Sequence, residues 1–124
     1  MLLEDGLKEN LFDCRLRKLS EKTIKSYRSH CLRLFRYLED EVGINKIELF
    51  NTRCAKQYIS FLTSNELKET YINSTIRSLT PFFEYCMNEE YVSKNAMKKI
   101  KYQKETITII ETFNNFKKDF KWKD

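Results

Sequence analysis

The longest run of regularly spaced apolar residues lies between residues 19 and 42 of the chain. Apolar side chains recur there mainly at steps of three or four residues, the spacing of one buried helix face: Ile24, Tyr27, Cys31, Leu34, Phe35, Leu38 and Val42. At about 100° per residue, the opposite side of the helix is polar and cationic: Lys22, Lys25, Ser29, Arg33 and Arg36. The pattern predicts a helix with a core face and a cationic face.

The residues at both ends of this stretch fit the chemistry of helix termini. Ser20 precedes the first apolar position of the helix, and its hydroxyl can accept a hydrogen bond from a backbone N–H of the first turn. Gly43 follows the last apolar position and can adopt the left-handed conformation that closes many helices. The sequence therefore predicts a helix that begins after Ser20 and ends near residues 40–43.

A second amphipathic pattern starts near residue 70. Its apolar positions are separated by 4, 3, 4 and 3 residues, which predicts a long helix: Ile72, Ile76, Leu79, Phe83 and Cys86. We expect Thr70 to be its N-cap, because a threonine hydroxyl can accept a first-turn N–H. The predicted outer side of this helix holds small polar groups and one arginine: Thr70, Ser74, Arg77 and Ser78, with Asn73 flanking them.

Pro81 falls inside this second pattern, where it removes one backbone hydrogen bond. Because Pro81 lies on the outer side of the helical wheel, we expect a kink that wraps the helix around the core. The alternative is that the helix ends at Thr80 and that residues 82–86 form a separate short helix.

Three shorter segments also have helical patterns. Residues 7–16 predict a short amphipathic helix, and a further helix is predicted from a cap at Asn51 or Thr52 to about Ser64. Residues 93–105 predict a short helix that is rich in lysine: Lys94, Lys98, Lys99, Lys101 and Lys104.

The composition favours a single helical domain. Two glycines and one proline in 124 residues are too few for the tight turns of an all-β chain, so we expect an all-α domain. No run of about 18 apolar residues occurs, which argues against a membrane span, and the acidic start argues against a secretory signal. We therefore expect a cytoplasmic protein with no membrane partner. The formal charge of +5 favours a polyanionic partner without identifying one.

The sequence offers little for catalysis or for metal binding. His30 is the single histidine, no glycine-rich phosphate loop is present, and no pair of carboxylates stands out by spacing. The four cysteines are 17, 23 and 32 residues apart, which is not the spacing of a zinc site. We expect no metal, no cofactor and no catalytic residue in this chain. We expect His30 to be a partly exposed structural residue, and Cys31 and Cys86 to lie in the core.

From periodicity alone, the two cationic and polar helix faces have two explanations. They can be solvated surfaces, as on any soluble helical protein. They can also bind DNA, because a helix fits the major groove and a strip of lysine, arginine, serine and asparagine can contact phosphates and base edges. Spacing does not separate these alternatives.

Four sequence elements resemble, in order and spacing, the N-terminal core-binding domain of phage-integrase-type tyrosine recombinases. They are Phe12-Asp13-Cys14, the LSEKTIKSY element at residues 19–27, the YIN, IRSL and FFEY elements at residues 71–85, and the NAMKKI element at residues 95–100. The resemblance covers nearly the whole chain and implies a small orthogonal bundle of four to five helices with a SAM-like fold.

The resemblance also implies a function in mobile-element DNA recombination. The domain would form one half of a clamp that closes on double-stranded DNA at the recombination core site, with the catalytic domain of the parent recombinase as the other half and self-association on DNA as a further open expectation. The expected DNA-binding residues lie on the two long helices: Lys22, Lys25, Ser26, Ser29 and Arg33, and Thr70, Asn73, Ser74, Arg77 and Ser78. Lys98, Lys99 and Lys101 are expected to contact phosphates.

The same resemblance divides the chain into two parts. Residues 1–105 correspond to the DNA-binding domain, and residues 106–124 correspond to a linker and the truncated start of a catalytic domain. The catalytic set of the family, which includes a His-x-x-Arg element and a tyrosine nucleophile, has no match in this sequence, so we expect no catalysis here.

A protein-interaction domain is the alternative function. Aromatic residues near the end of the sequence recur at steps of 3, 4 and 2, and an exposed apolar face needs a partner: Phe113, Phe116, Phe120 and Trp122.

Overall fold

A computed structural model describes residues 1–104 of the chain. Within that range the protein is all-helical, as predicted, with four α-helices: α1 (Leu3–Leu16), α2 (Glu21–Tyr37), α3 (Thr52–Ser64) and α4 (Glu69–Asn88). The predicted linker at residues 106–124 and the aromatic tail from Phe113 to Trp122 lie outside the described residues. No helix in the described range is long and apolar enough to cross a membrane.

Helix α2 begins as predicted and ends in a different geometry. The Ser20 hydroxyl accepts a hydrogen bond from the backbone N–H of Thr23 at 3.1 Å, which confirms Ser20 as the N-cap. Beyond Tyr37 the chain widens into a π-helical turn, Leu38–Val42, which Gly43 closes with a φ of 82°. The wider turn rotates Val42 away from the core to 38% exposure, so its predicted core position is wrong.

Helix α4 begins at Glu69, one residue before its predicted cap Thr70, and continues through Pro81. Its N-cap is Lys68, which makes no side-chain capping bond, so the assignment of Thr70 as the cap is wrong. The alternative of two helices separated at Thr80 is also wrong, because Phe82 and Phe83 continue the same helix into the core.

The predicted lysine-rich helix is absent. Residues 93–104, which we call the exit segment, form turns and chain without regular secondary structure. The physical reason is that the Asn95 side chain competes with a helix for backbone groups: its Oδ1 accepts the N–H of Met97 at 2.9 Å, and its Nδ2 donates to the Thr80 carbonyl at 3.3 Å.

The core is centred on α4, which packs against α1, α2 and α3. Phe82 and Phe83 are fully buried, and the Phe83 ring stacks on Phe50 with centroids 4.4 Å apart. Cys31 and Cys86 lie in the core as predicted, and Cys14 and Cys54 are buried with them. Burial raises the pKa of the Cys86 thiol to about 12, so this thiol stays protonated at neutral pH.

Candidate nucleic-acid interface

Helices α2 and α4 are joined by three pairs of hydrogen-bonded side chains. Ser26 Oγ lies 3.1 Å from Ser78 Oγ. His30 Nδ1 lies 3.2 Å from Thr75 Oγ1. Arg33 Nη1 donates to the Tyr71 hydroxyl at 2.7 Å. Because residue numbers rise along α2 while they fall along α4, the two helices run in opposite directions where they touch.

The middle pair is buried. His30 is 7% exposed, so it is structural as predicted but lies in the interior instead of being partly exposed. The Thr75 hydroxyl donates to the Tyr71 carbonyl at 3.0 Å, which leaves its oxygen to accept from a neutral His30 ring protonated on Nδ1. Burial, with the nearby Arg33 charge, lowers the pKa of His30. Both helices are therefore held together by a neutral imidazole.

The polar outer strips of the two helices lie side by side. Both helices turn apolar residues to the same core, Leu34 and Phe35 from α2 and Ile76 and Leu79 from α4. Because the two helices pack against each other and share one core, the outer face of α2, away from the core, lies next to the outer face of α4. Ser29 and Ser74, each half-buried, lie on these faces. The exposed residues of the predicted interface on α2 and α4 thus share one surface.

The predicted residues of α2 differ in exposure, and Arg33 is exposed although it also donates a hydrogen bond to Tyr71. Lys22, Lys25 and Arg33 are exposed, and Ser29 is half-buried. Ser26 is half-buried as well, and its hydroxyl is used in the bond to Ser78. We call Lys22, Lys25, Ser29 and Arg33 the α2 strip.

The predicted residues of α4 also differ in exposure. Thr70 and Arg77 are exposed and Ser74 is half-buried, and we call these three residues the α4 strip. Ser78 and Asn73 are only 5% and 4% exposed, so their predicted outward placement is wrong. The physical reason is that Ser78 lies against Ser26 of α2 and Asn73 binds the backbone of Gln103, so these neighbours cover parts of α4 that the wheel leaves open.

The exit segment borders the α4 strip on the side away from α2. With Ile72 at zero and about 100° per residue, the α2-facing residues Ser78 and Thr75 lie at about 240° and 300°, and Asn73 lies at about 100°. The Asn73 side chain binds the backbone of Gln103. The α4 strip, at about 140–200°, therefore lies between the α2 strip and the exit segment.

The resulting surface carries cations without acidic partners of their own. Lys98, Lys99 and Lys101 of the exit segment are exposed, as are Lys22 and Lys25 on the other side. The salt bridges of the described residues, Met1 with Glu48 and Arg17 with Asp13, involve none of these cations. We call the α2 strip, the α4 strip and the exit segment together the candidate surface.

The sequence did not single out two aromatic residues that contact the arginines of this surface, Tyr71 beside it and Tyr102 within the exit segment. Tyr71 accepts the Arg33 bond described above, and the Arg77 guanidinium carbon lies 5.8 Å from the centre of the Tyr102 ring. Tyr102 is 55% exposed and follows Lys101 directly. The signal in the sequence for Tyr102 was an aromatic residue within a cluster of lysines, because cationic side chains, arginine above all, pack on aromatic rings.

Among residues 1–104, no cluster of three or more His, Cys, Asp or Glu residues could hold a metal ion.

Comparison with known proteins matches this part of the chain to one family. A family model described as the phage integrase N-terminal SAM-like domain matches residues 12–90. Tyrosine recombinase XerC of Staphylococcus aureus strain JH9 is 38% identical over 71 residues, covering 57% of this chain and 23% of the relative. The same protein from strain USA300 / TCH1516 gives the same identity and coverage. The chain therefore matches less than two thirds of the length of these relatives. No solved structure was found to match.

Proposed function

The chain belongs to the family of phage integrase N-terminal SAM-like domains, and from this membership we propose that it binds double-stranded DNA at the recombination site of a tyrosine recombinase. The observation that carries the proposal is the candidate surface, on which two helices and the exit segment present cations that no acidic side chain neutralises in the described range. A polyanion with a regular groove fits such a surface.

We assign different tasks to the three parts of the surface. A helix is about 10–12 Å across and fits the major groove, which is about 12 Å wide. The α4 strip lies in the middle and has small polar side chains around Arg77, so it can approach base edges closely. The lysines of the α2 strip and of the exit segment lie on either side of it, where they can contact phosphates. Asn73, Ser78 and Ser26 are left out of the direct contacts, since their polar groups are engaged within the protein.

We further propose that the domain forms one half of a clamp around the DNA. The matched region is the N-terminal SAM-like domain of recombinases, so the other half would be the catalytic domain of the parent protein. Strand cleavage would belong to that domain, and the described residues would position it on the site. Self-association on DNA would follow if two parent molecules occupy adjacent half-sites.

Fluorescence anisotropy with a short labelled DNA duplex tests the proposal. If Lys22, Lys25, Lys98, Lys99 and Lys101 each neutralise one phosphate, log K against log salt should have a slope of about −4.5, from about −0.9 per contact. Selection from a random duplex library should then enrich a preferred sequence. Failure to bind any duplex at the lowest salt concentration would contradict the proposal.

A further inference from the structure

Asn73 joins the exit segment to helix α4 by two hydrogen bonds. Its Nδ2 donates to the Gln103 carbonyl at 2.9 Å, and its Oδ1 accepts the Gln103 backbone N–H at 2.6 Å. Asn73 is 4% exposed, so these bonds are shielded from water. Both bonds go to the backbone of Gln103, and the Gln103 side chain is not needed for either.

A second attachment lies at the start of the same segment. Asn95 donates to the Glu84 carboxylate at 3.0 Å in addition to its bonds with Thr80 and Met97. The side chains of Ala96 and Met97 are buried in the core, and Ile100 packs against it. The residues between Asn95 and Gln103 are therefore fixed at both ends, and this stretch contains Lys98, Lys99 and Lys101.

The attachment at Gln103 also determines the position of Tyr102. The ring of Tyr102 lies beside the Arg77 guanidinium, four residues along α4 from Asn73. A cation over an aromatic face keeps its N–H donors available, because the ring attracts the positive charge through its π system. Arg77 is therefore held in place by the exit segment without losing hydrogen-bond donors.

We propose that Asn73 is a positioning residue that holds the exit segment on α4, so that the exit-segment lysines and the Arg77–Tyr102 pair form a preorganised border of the DNA-binding surface. This inference rests on the proposed function. A loose lysine-rich segment could also reach phosphates, but binding would then have to order its backbone and side chains. In the protein as folded, that ordering has already taken place.

Three variants of the full chain separate this role from a direct contact of Asn73 with DNA. Asn73→Ala removes both bonds from the α4 side. Gln103→Pro removes the backbone N–H from the exit-segment side and leaves Asn73 in place. Gln103→Ala is the matched control, because it keeps both backbone groups of residue 103.

The first measurement is duplex affinity as a function of salt concentration. We expect Asn73→Ala and Gln103→Pro each to weaken binding by about tenfold at moderate salt, the size of effect expected when a few side chains must be ordered on binding. The salt slope should become shallower by about 1 to 3, since each lost phosphate contact removes about 0.9. Gln103→Ala should retain the affinity and the slope of the natural sequence.

The second measurement is the rate of trypsin cleavage after Lys101 without DNA, followed by mass spectrometry, because the residue after this bond is Tyr102 in all variants. Asn73→Ala and Gln103→Pro should both be cleaved faster than the natural chain and than Gln103→Ala, because a released backbone is accessible to the protease. Loss of affinity in Asn73→Ala but not in Gln103→Pro would overturn the inference and show that Asn73 acts through α4 or on DNA directly. Unchanged affinity, slope and cleavage in both variants would also overturn it. If the natural chain binds no duplex, the proposed function fails, and the cleavage rates still test whether Asn73 holds the exit segment on α4.

Discussion

Arg77 lies at the middle of the candidate surface, between the α2 strip and the exit segment. Its guanidinium has five N–H donors in a planar fork, the arrangement that pairs with the O6 and N7 acceptors of guanine. Lys25, on the neighbouring helix, has a flexible ammonium that suits a phosphate at any sequence. At the scale of single residues, we therefore assign base recognition to Arg77 and backbone contact to Lys25.

Two substitutions separate these roles. Arg77→Ala should cost about 1–3 kcal/mol of binding free energy on the preferred duplex and relax the preference at one position. Lys25→Ala should weaken binding to all duplexes alike and reduce the salt slope by about 0.9. Because both side chains are exposed, neither change should shift the melting temperature much. Competition anisotropy and thermal denaturation measure these effects.

Lys56→Ala is the matched control, since it removes the same charge from an exposed position on α3. Binding should hardly change in this variant. An equal loss of affinity in Lys56→Ala would show that net charge, and not the candidate surface, governs binding. A large loss of thermal stability in either test variant would contradict the exposed placement of Arg77 and Lys25.

The helical wheel predicts the exposure of long cationic side chains well and that of small polar side chains poorly. On α2, the wheel places Lys22, Lys25 and Arg33 outward, and they are exposed. On α4, the same reasoning places Ser78 and Asn73 outward although both are buried. Small polar side chains fit a helix contact or a solvated surface equally well, so only the identity of the neighbouring element decides between them.

At the scale of elements, the α2–α4 contact is the structural basis of the candidate surface. Its polar pairs, Ser26 with Ser78, His30 with Thr75 and Arg33 with Tyr71, fix both helices relative to each other. Local signals such as Ser20, Asn51 and Gly43 were sufficient to predict helix ends. The π-helical turn after Tyr37 and the turns after Asn95 were not predictable, since they depend on contacts between elements.

Acid should weaken this helix contact through His30. Its pKa is lowered in the folded protein from the ordinary value of 6.5, because burial and the Arg33 charge disfavour the imidazolium. The unfolded chain therefore binds the proton more readily. The stabilisation by the neutral ring is complete above about pH 6.5, declines as the pH falls below that value and is lost below the folded pKa.

Thermal unfolding across about pH 7 to 5.5 measures this effect, since most carboxylates titrate below that range. The melting temperature of the natural chain should fall with pH, whereas His30→Gln, which cannot gain a proton, should give a nearly flat profile at a lower overall stability. Parallel profiles for the two proteins would show that another group is responsible.

At the scale of the whole molecule, the surface joins parts of the chain that are far apart in sequence. The α2 strip, the α4 strip and the exit segment span residues 22–104, and the shared core of α4 brings them together. The family and the all-α fold could be predicted from sequence elements alone. The position of the exit segment beside the α4 strip could not be predicted, because it depends on Asn73 binding a residue 30 positions away.

The most direct test is a titration of the isotope-labelled protein with a short DNA duplex, followed by amide chemical shifts in NMR spectra. We expect the largest changes at the α2 strip, the α4 strip and residues 98–104, with α1 and α3 little affected, and we expect the changes to diminish as salt rises. Shift changes concentrated on α1 or α3, or none at low salt, would contradict binding of DNA at the candidate surface.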